Sequence, residues 1–127
     1  MLGKEKTENY LKVIYKIQRA CGQVRGIDVA KELKVTRPTV SFAVKELRKA
    51  GYIKDYDNNG FLLTKQGLAR AREIEERFSF LERMLIFLNV DKTTAAEDAC
   101  RMEHSLSDDS FRALQKFFIA EMAHTAS

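Results

Sequence analysis

Cys100, Glu103 and His104 stand at i, i+3 and i+4 of a stretch patterned as helix. That spacing sets a thiol, a carboxyl and an imidazole one turn apart on a single face. Such groups hold a divalent transition metal. Cys100 and His104 could also serve as nucleophile and base. The chain, however, has only 2 His and no Gly-rich loop, and a helix face packed inside a fold is a poor pocket. A cysteine-based enzyme is therefore the remote alternative, and a metal site is the leading expectation.

The trio must be positioned by the helices around it. Leu68, Ala71, Ile74, Phe78, Leu81, Leu85 and Leu88 repeat at three and four, which predicts one long amphipathic helix from Lys65 to about Leu88, stopped at Asn89. Thr94-Ala95-Ala96-Glu97 reads as a capping box that opens the helix of the trio. Ser107 caps a last helix, with Asp108 and Asp109 favourably placed in its first turn. Its apolar positions are Phe111, Leu114, Phe118 and Met122, and residues 124–127 read as a loose tail. These short helices cannot cover every apolar stripe by themselves, so part of that surface is expected at a homodimer interface.

The first half has a different pattern. Tyr10, Ile14, Ile17 and Cys21 form the buried stripe of a helix from about Thr7 to Cys21, with Cys21 a small core residue. Gly22 and Gln23 end it. Ile27, Ala30 and Leu33 mark a short helix, and Lys34-Val35 a brief turn. Thr36 then caps a third helix with Pro38 in its first turn and Val40, Val44 and Leu47 on its inner face. That is a helix-turn-helix. After Gly51, Tyr52-Ile53-Lys54 and Phe61-Leu62-Leu63 flank Asp57-Asn58-Asn59-Gly60, a β-hairpin signal. The sum is a winged helix.

On the third helix, Arg37, Pro38, Thr39, Ser41, Phe42 and Lys45 point away from the inner face. Arg37 and Lys45 suit phosphates or guanine edges, and Thr39 and Ser41 phosphates or bases. Pro38 and Phe42 offer apolar contact to thymine methyls, although Phe42 also has the makings of a packing residue. The wing, with Lys54 offset by Asp55 and Asp57, is expected to add little base readout.

The charge of +4 is unevenly spread. Residues 1–72 carry 16 Lys and Arg against 7 Asp and Glu, whereas residues 73–127 carry 6 against 11. A basic front half is what a phosphate-backbone binder requires. No apolar run is long enough to span a bilayer and no signal segment opens the chain. Two cysteines make no disulfide framework, which points to the cytoplasm. A dimer reading a palindromic operator in double-stranded DNA is the expected partnership, with no membrane and no small organic substrate.

Four separated motifs resemble the iron- and manganese-dependent repressors, the diphtheria toxin repressor family. They are the run Thr7–Tyr15, Pro38-Thr39-Val40-Ser41, Leu63-Thr64-Lys65-Gln66-Gly67, and Asp98–His104 followed by Leu106-Ser107-Asp108. The resemblance implies a mainly α protein: a winged helix-turn-helix with a small β-hairpin wing over residues 1–73, joined to a helical metal-binding and dimerisation domain over residues 74–127. It looks like the short, two-domain form, which lacks the SH3-like third domain. It further implies a repressor of metal-homeostasis genes, with metal setting the spacing of the DNA-reading helices.

Cys100 resembles the iron-sensing branch, since the manganese branch has a carboxylate there. A thiolate favours Fe²⁺, Co²⁺, Ni²⁺ or Zn²⁺ over Mn²⁺. Other family ligands are absent. Asn9 stands in place of methionine or aspartate, and Lys12 in place of a glutamate. Phe78 and Ala96 replace histidines. Glu82 alone survives of the ancillary pair. One site is therefore expected, from Cys100, Glu103 and His104, with Asn9 or water and Glu82 as further candidates. Lys12 leaves two alternatives open. It either pairs with Glu103 in place of metal, giving a metal-independent regulator, or forms an exposed i, i+4 pair with Glu8.

Overall fold

A computed structural model of the protein describes the backbone of residues 2–126 and the side chains of residues 2–124. The first helix, α1 (Lys4–Cys21), starts one turn earlier than its apolar stripe suggests. Thr7 donates its hydroxyl to the Gly3 carbonyl and steadies that extra turn. Tyr10, Leu11 and Ile14 are buried, but the stripe ends there. Cys21 is exposed, a correction to its expected place in the core. The last turn of α1 runs clear of the packing, and Gly22, at φ 88°, turns the chain away.

Next come β1 (Val24–Arg25), α2 (Gly26–Leu33) and α3 (Arg37–Lys49). Lys34 closes α2 in the left-handed region at φ 57°, which makes the tight turn between the two helices. Val29 and Ala30 are buried on α2, and Val40, Ala43 and Leu47 on α3. Ile27, expected inside, is 41% exposed. The strands β2 (Ile53–Asp55) and β3 (Gly60–Leu63) form the hairpin, with Ile53 opposite Leu63 and Asp55 opposite Phe61. Asn58 and Asn59 supply its positive φ angles. The sheet has three strands in the order β1-β3-β2. β1 was not anticipated, because two residues are too few to show alternation. Past the end of β1, the Gln18 side chain accepts the Leu63 N–H at 2.8 Å and takes over the missing strand's role.

The motif Leu63–Gly67 is a corner built to carry the hairpin into α4 (Lys65–Phe87). Thr64 donates to the Gly51 carbonyl at 2.6 Å and accepts from the Gly67 N–H at 3.1 Å. A Cβ on Gly67 would lie 2.1 Å from the Tyr52 carbonyl oxygen, so the position admits no side chain. Asn89, at φ 69°, stops the helix as expected.

The fold divides after Glu73 into two compact units. In the second, α4 packs with α5 (Lys92–Ser105) and α6 (Asp108–Ala126) around Phe80, Leu81, Met84 and Ala99. Phe111 meets Phe80 edge-on, with ring centroids 5.6 Å apart. The cap of α5 is Asp91 rather than Thr94. Its carboxylate accepts the Thr94 N–H at 3.1 Å and the Thr94 hydroxyl at 2.8 Å. These bonds hold the Asp91 carboxyl below the usual carboxylate range. Ser107 caps α6 through the Ser110 N–H. Residues 124–126, expected to be a loose tail, continue α6, while residue 127 lies outside the described residues.

Glu8 is not the exposed residue that one reading of Lys12 expects. It is buried on α1, and its carboxylate is paired with Arg70 of α4, which also reaches Glu73 at 3.3 Å. Arg70 is itself 33% exposed, so part of its charge stays solvated. Arg70→Met should therefore lower unfolding stability by about 2 kcal/mol, under the ~3–5 kcal/mol of a fully buried pair. Urea titration of the two proteins measures the difference.

Candidate metal centre and nucleic-acid interface

The exposed side of α3 is set by its cap. Thr36 accepts the Thr39 N–H at 3.4 Å, and the Thr36 and Thr39 hydroxyls lie 2.8 Å apart. Pro38 sits at the start of the helix, where its missing N–H leaves no bond unmade. With Val40, Ala43 and Leu47 turned inward, Arg37, Pro38, Thr39, Ser41, Phe42 and Lys45 are all exposed.

These six do not share one flank. Arg37, Ser41 and Lys45 line an open groove between α3 and the wing, together with Arg48, Asp55, Tyr56 and Asn58. Thr39 and Phe42 line another groove, against Asn9, Tyr10, Leu33 and Val35. Phe42 is 50% exposed, so it is not a core residue. Arg48 completes that stripe one turn beyond Lys45 and was overlooked in the sequence. Its spacing from Arg37, Ser41 and Lys45 was the available signal. Arg48 is also bonded to Asp55 of β2 at 2.7 Å, which joins the helix to the wing.

On α5, one ligand atom each from Cys100, Glu103 and His104 lies within 4.8 Å of the others. Bonds of about 2.0–2.3 Å to one ion bring donors to within roughly 4.5 Å of each other, so a small closing motion suffices. Glu103 and His104 are the most enclosed, with side chains 1% and 5% exposed and 3.4 Å between Oε1 and Nε2. Cys100 is half-buried one turn earlier. A carboxylate shut away from water needs positive charge beside it. A soft thiolate, a carboxylate and an imidazole fit a divalent transition ion.

Glu82, another expected ligand, lies outside this group. Glu82 is half-buried on α4, and Asn9 is half-buried on α1 in the first unit. Phe78 packs against the core of the second unit, a hydrophobic use for a position where the resemblance leads one to look for histidine. Lys12 is half-buried on α1.

A winged helix and a helical unit bearing a Cys–Glu–His cluster define a metal-responsive class of DNA-binding regulators. The pattern of the iron-dependent repressor N-terminal DNA-binding domain matches residues 1–60, and that of the iron-dependent repressor metal-binding and dimerisation domain matches residues 64–119. The chain belongs to this iron-dependent repressor family. It is 33% identical over 114 residues to the transcriptional regulator MntR of Escherichia coli O157:H7, covering 90% of this chain and 74% of MntR. An HTH-type transcriptional regulator of Methanocaldococcus jannaschii is 32% identical over 112 residues, 87% of this chain and 90% of that relative. The solved structure of the manganese regulator SloR superposes with a TM-score of 0.77 at 30% identity. It covers 88% of this chain, which spans about half, 53%, of SloR.

Because the Thr36 cap bond is long, Thr36→Ala should cost only about 0.5–1 kcal/mol, with Thr36→Asp restoring most of it. Thermal denaturation followed by circular dichroism reads both.

Proposed function

We propose that the protein is a metal-responsive transcriptional repressor that acts in the cytoplasm as a homodimer on a palindromic operator. The carrying observation is the enclosed Cys100–Glu103–His104 cluster in the same chain as a basic recognition helix. These three residues would hold the ion, with Asn9 and Glu82 as candidates for completing its shell. Bound there, a divalent cation would pair with the buried Glu103 carboxylate. The thiolate favours Fe²⁺, while Mn²⁺, Co²⁺, Ni²⁺ and Zn²⁺ also suit the remaining donors.

On the DNA side, Arg37 and Lys45 meet phosphates or guanine edges, and Ser41 lies between them on the same flank. Thr39, Pro38 and Phe42 face the adjoining flank and suit sugar, phosphate and thymine methyl contacts. In the second unit, Ile86, Leu88, Phe117 and Ile119 are each at least 42% exposed. Apolar side chains left open in this number suit a surface covered by a second copy. Two copies place two recognition helices on two half-sites.

A hundredfold rise in operator affinity requires the ion to favour the DNA-competent state by about 2.7 kcal/mol. Glu103→Ala should remove that stimulation. The check is fluorescence anisotropy on duplexes selected from a random pool, with anaerobic Fe²⁺, with Mn²⁺ and with chelator. Affinity indifferent to both the substitution and the chelator would reject metal control.

Lys12 favours a second reading, because an ammonium half-buried on α1 is a built-in cation. In that reading DNA binding is metal-independent, and chelation leaves the unaltered protein fully active while Lys12→Met weakens it.

Lys45→Ala should weaken binding to matched and unmatched duplexes alike and reduce the salt slope of log K by about one. A loss confined to one base position would instead assign Lys45 to base readout.

A further inference from the structure

Arg77 is a charged residue that the family motifs leave without a role, and its side chain is only 14% exposed. It reaches from α4 to the turn between α5 and α6. Its Nη2 donates to the Leu106 carbonyl at 2.6 Å and to the Ser107 carbonyl at 3.4 Å. Its Nη1 bonds Asp108 at 3.2 Å. The Cζ lies 4.8 Å from the centre of the Phe111 ring, which in turn rests on the buried Phe80. The Nε is buried with no hydrogen-bond partner, so the side chain is held in place by its other contacts despite that cost.

Leu106 ends α5, and its N–H bonds back to Met102. The guanidinium therefore grips the carbonyl end of the helix whose final turn holds Glu103 and His104. A cation belongs at that end, where the unpaired carbonyls concentrate negative charge. A planar fork stacked on a ring fixes orientation as well as charge. One residue thus ties the α5 terminus to the start of α6 and to the aromatic core.

Building on the metal-responsive reading above, we propose that Arg77 is a positioning residue for the Cys100–Glu103–His104 cluster, holding the last turn of α5 at the rotation in which the three donors converge.

The test is titration of reduced, metal-free protein with Co²⁺ alone, following the thiolate-to-cobalt charge-transfer band and the ligand-field bands. Arg77→Met should bind Co²⁺ about tenfold more weakly, and at saturation its ligand-field bands should shift. Arg77→Lys, which keeps the charge and can recover one carbonyl bond, should fall between and guards against a Met variant that does not fold. A purely structural role would lower the melting temperature but leave the saturated spectrum unchanged. Folded variants with unaltered affinity and unaltered bands would overturn the role of Arg77 alone. A parent protein that gives no cobalt bands would overturn both this role and the metal reading on which it rests.

Discussion

A carboxylate enclosed beside an imidazole and a thiol is the constraint on which the second unit depends. Glu103 has a side chain 1% exposed, at a helix position where water would otherwise solvate it. Burying such a group is unfavourable unless positive charge and hydrogen bonds stand close by. The surrounding structure fixes the helix that carries it. Asp91 caps the front of α5, Arg77 grips its rear, and Phe80, Leu81 and Met84 fill the core beneath. Packing and caps hold the cluster's helix from both ends and from beneath.

The first unit solves a different problem, which is to present a charged helix without a charged core. The basic stripe Arg37–Lys45–Arg48 lies on one flank of α3, and the buried Val40, Ala43 and Leu47 hold the other side. Asp55 on the wing takes up Arg48 through a pair that is largely solvated on both partners. Such a pair contributes little stability, so its effect is orientation: it sets the wing beside the helix while phosphates can still compete for the guanidinium. Thr39 and Phe42 open onto the separate groove that includes Asn9. Within this unit, a side chain expected at the metal thus neighbours one flank of the recognition helix.

How much of this was legible depended on distance along the chain. Periodicities and caps are local, so the winged helix, the long α4, the Thr36 cap and the Asn89 stop were readable from neighbouring residues. The Cys100–Glu103–His104 cluster was readable for the same reason, since one helical turn is enough to bring its donors together. Thr94 misled because a capping-box pattern competes with an Asp three residues earlier, and only geometry shows which side chain takes the N–H. Cys21 misled because periodicity gives the angle of a side chain but not whether anything packs against it there. The Glu8–Arg70 and Arg77–Leu106 contacts span 62 and 29 residues and left no local trace. Strand β1 was too short to register at all.

The division of charge gives these parts a common logic. A basic first unit gains from a polyanion over long range, whereas an acidic second unit gains from a cation held at short range. Each unit thus carries a net charge opposite to the ligand proposed for it. A free cation at the cluster would be attracted by the second unit's excess of carboxylates. A doubly charged ion bonded directly to three donors is held more firmly when those donors are already convergent. Preorganisation of the last turn of α5 is consequently what the proposed metal control requires.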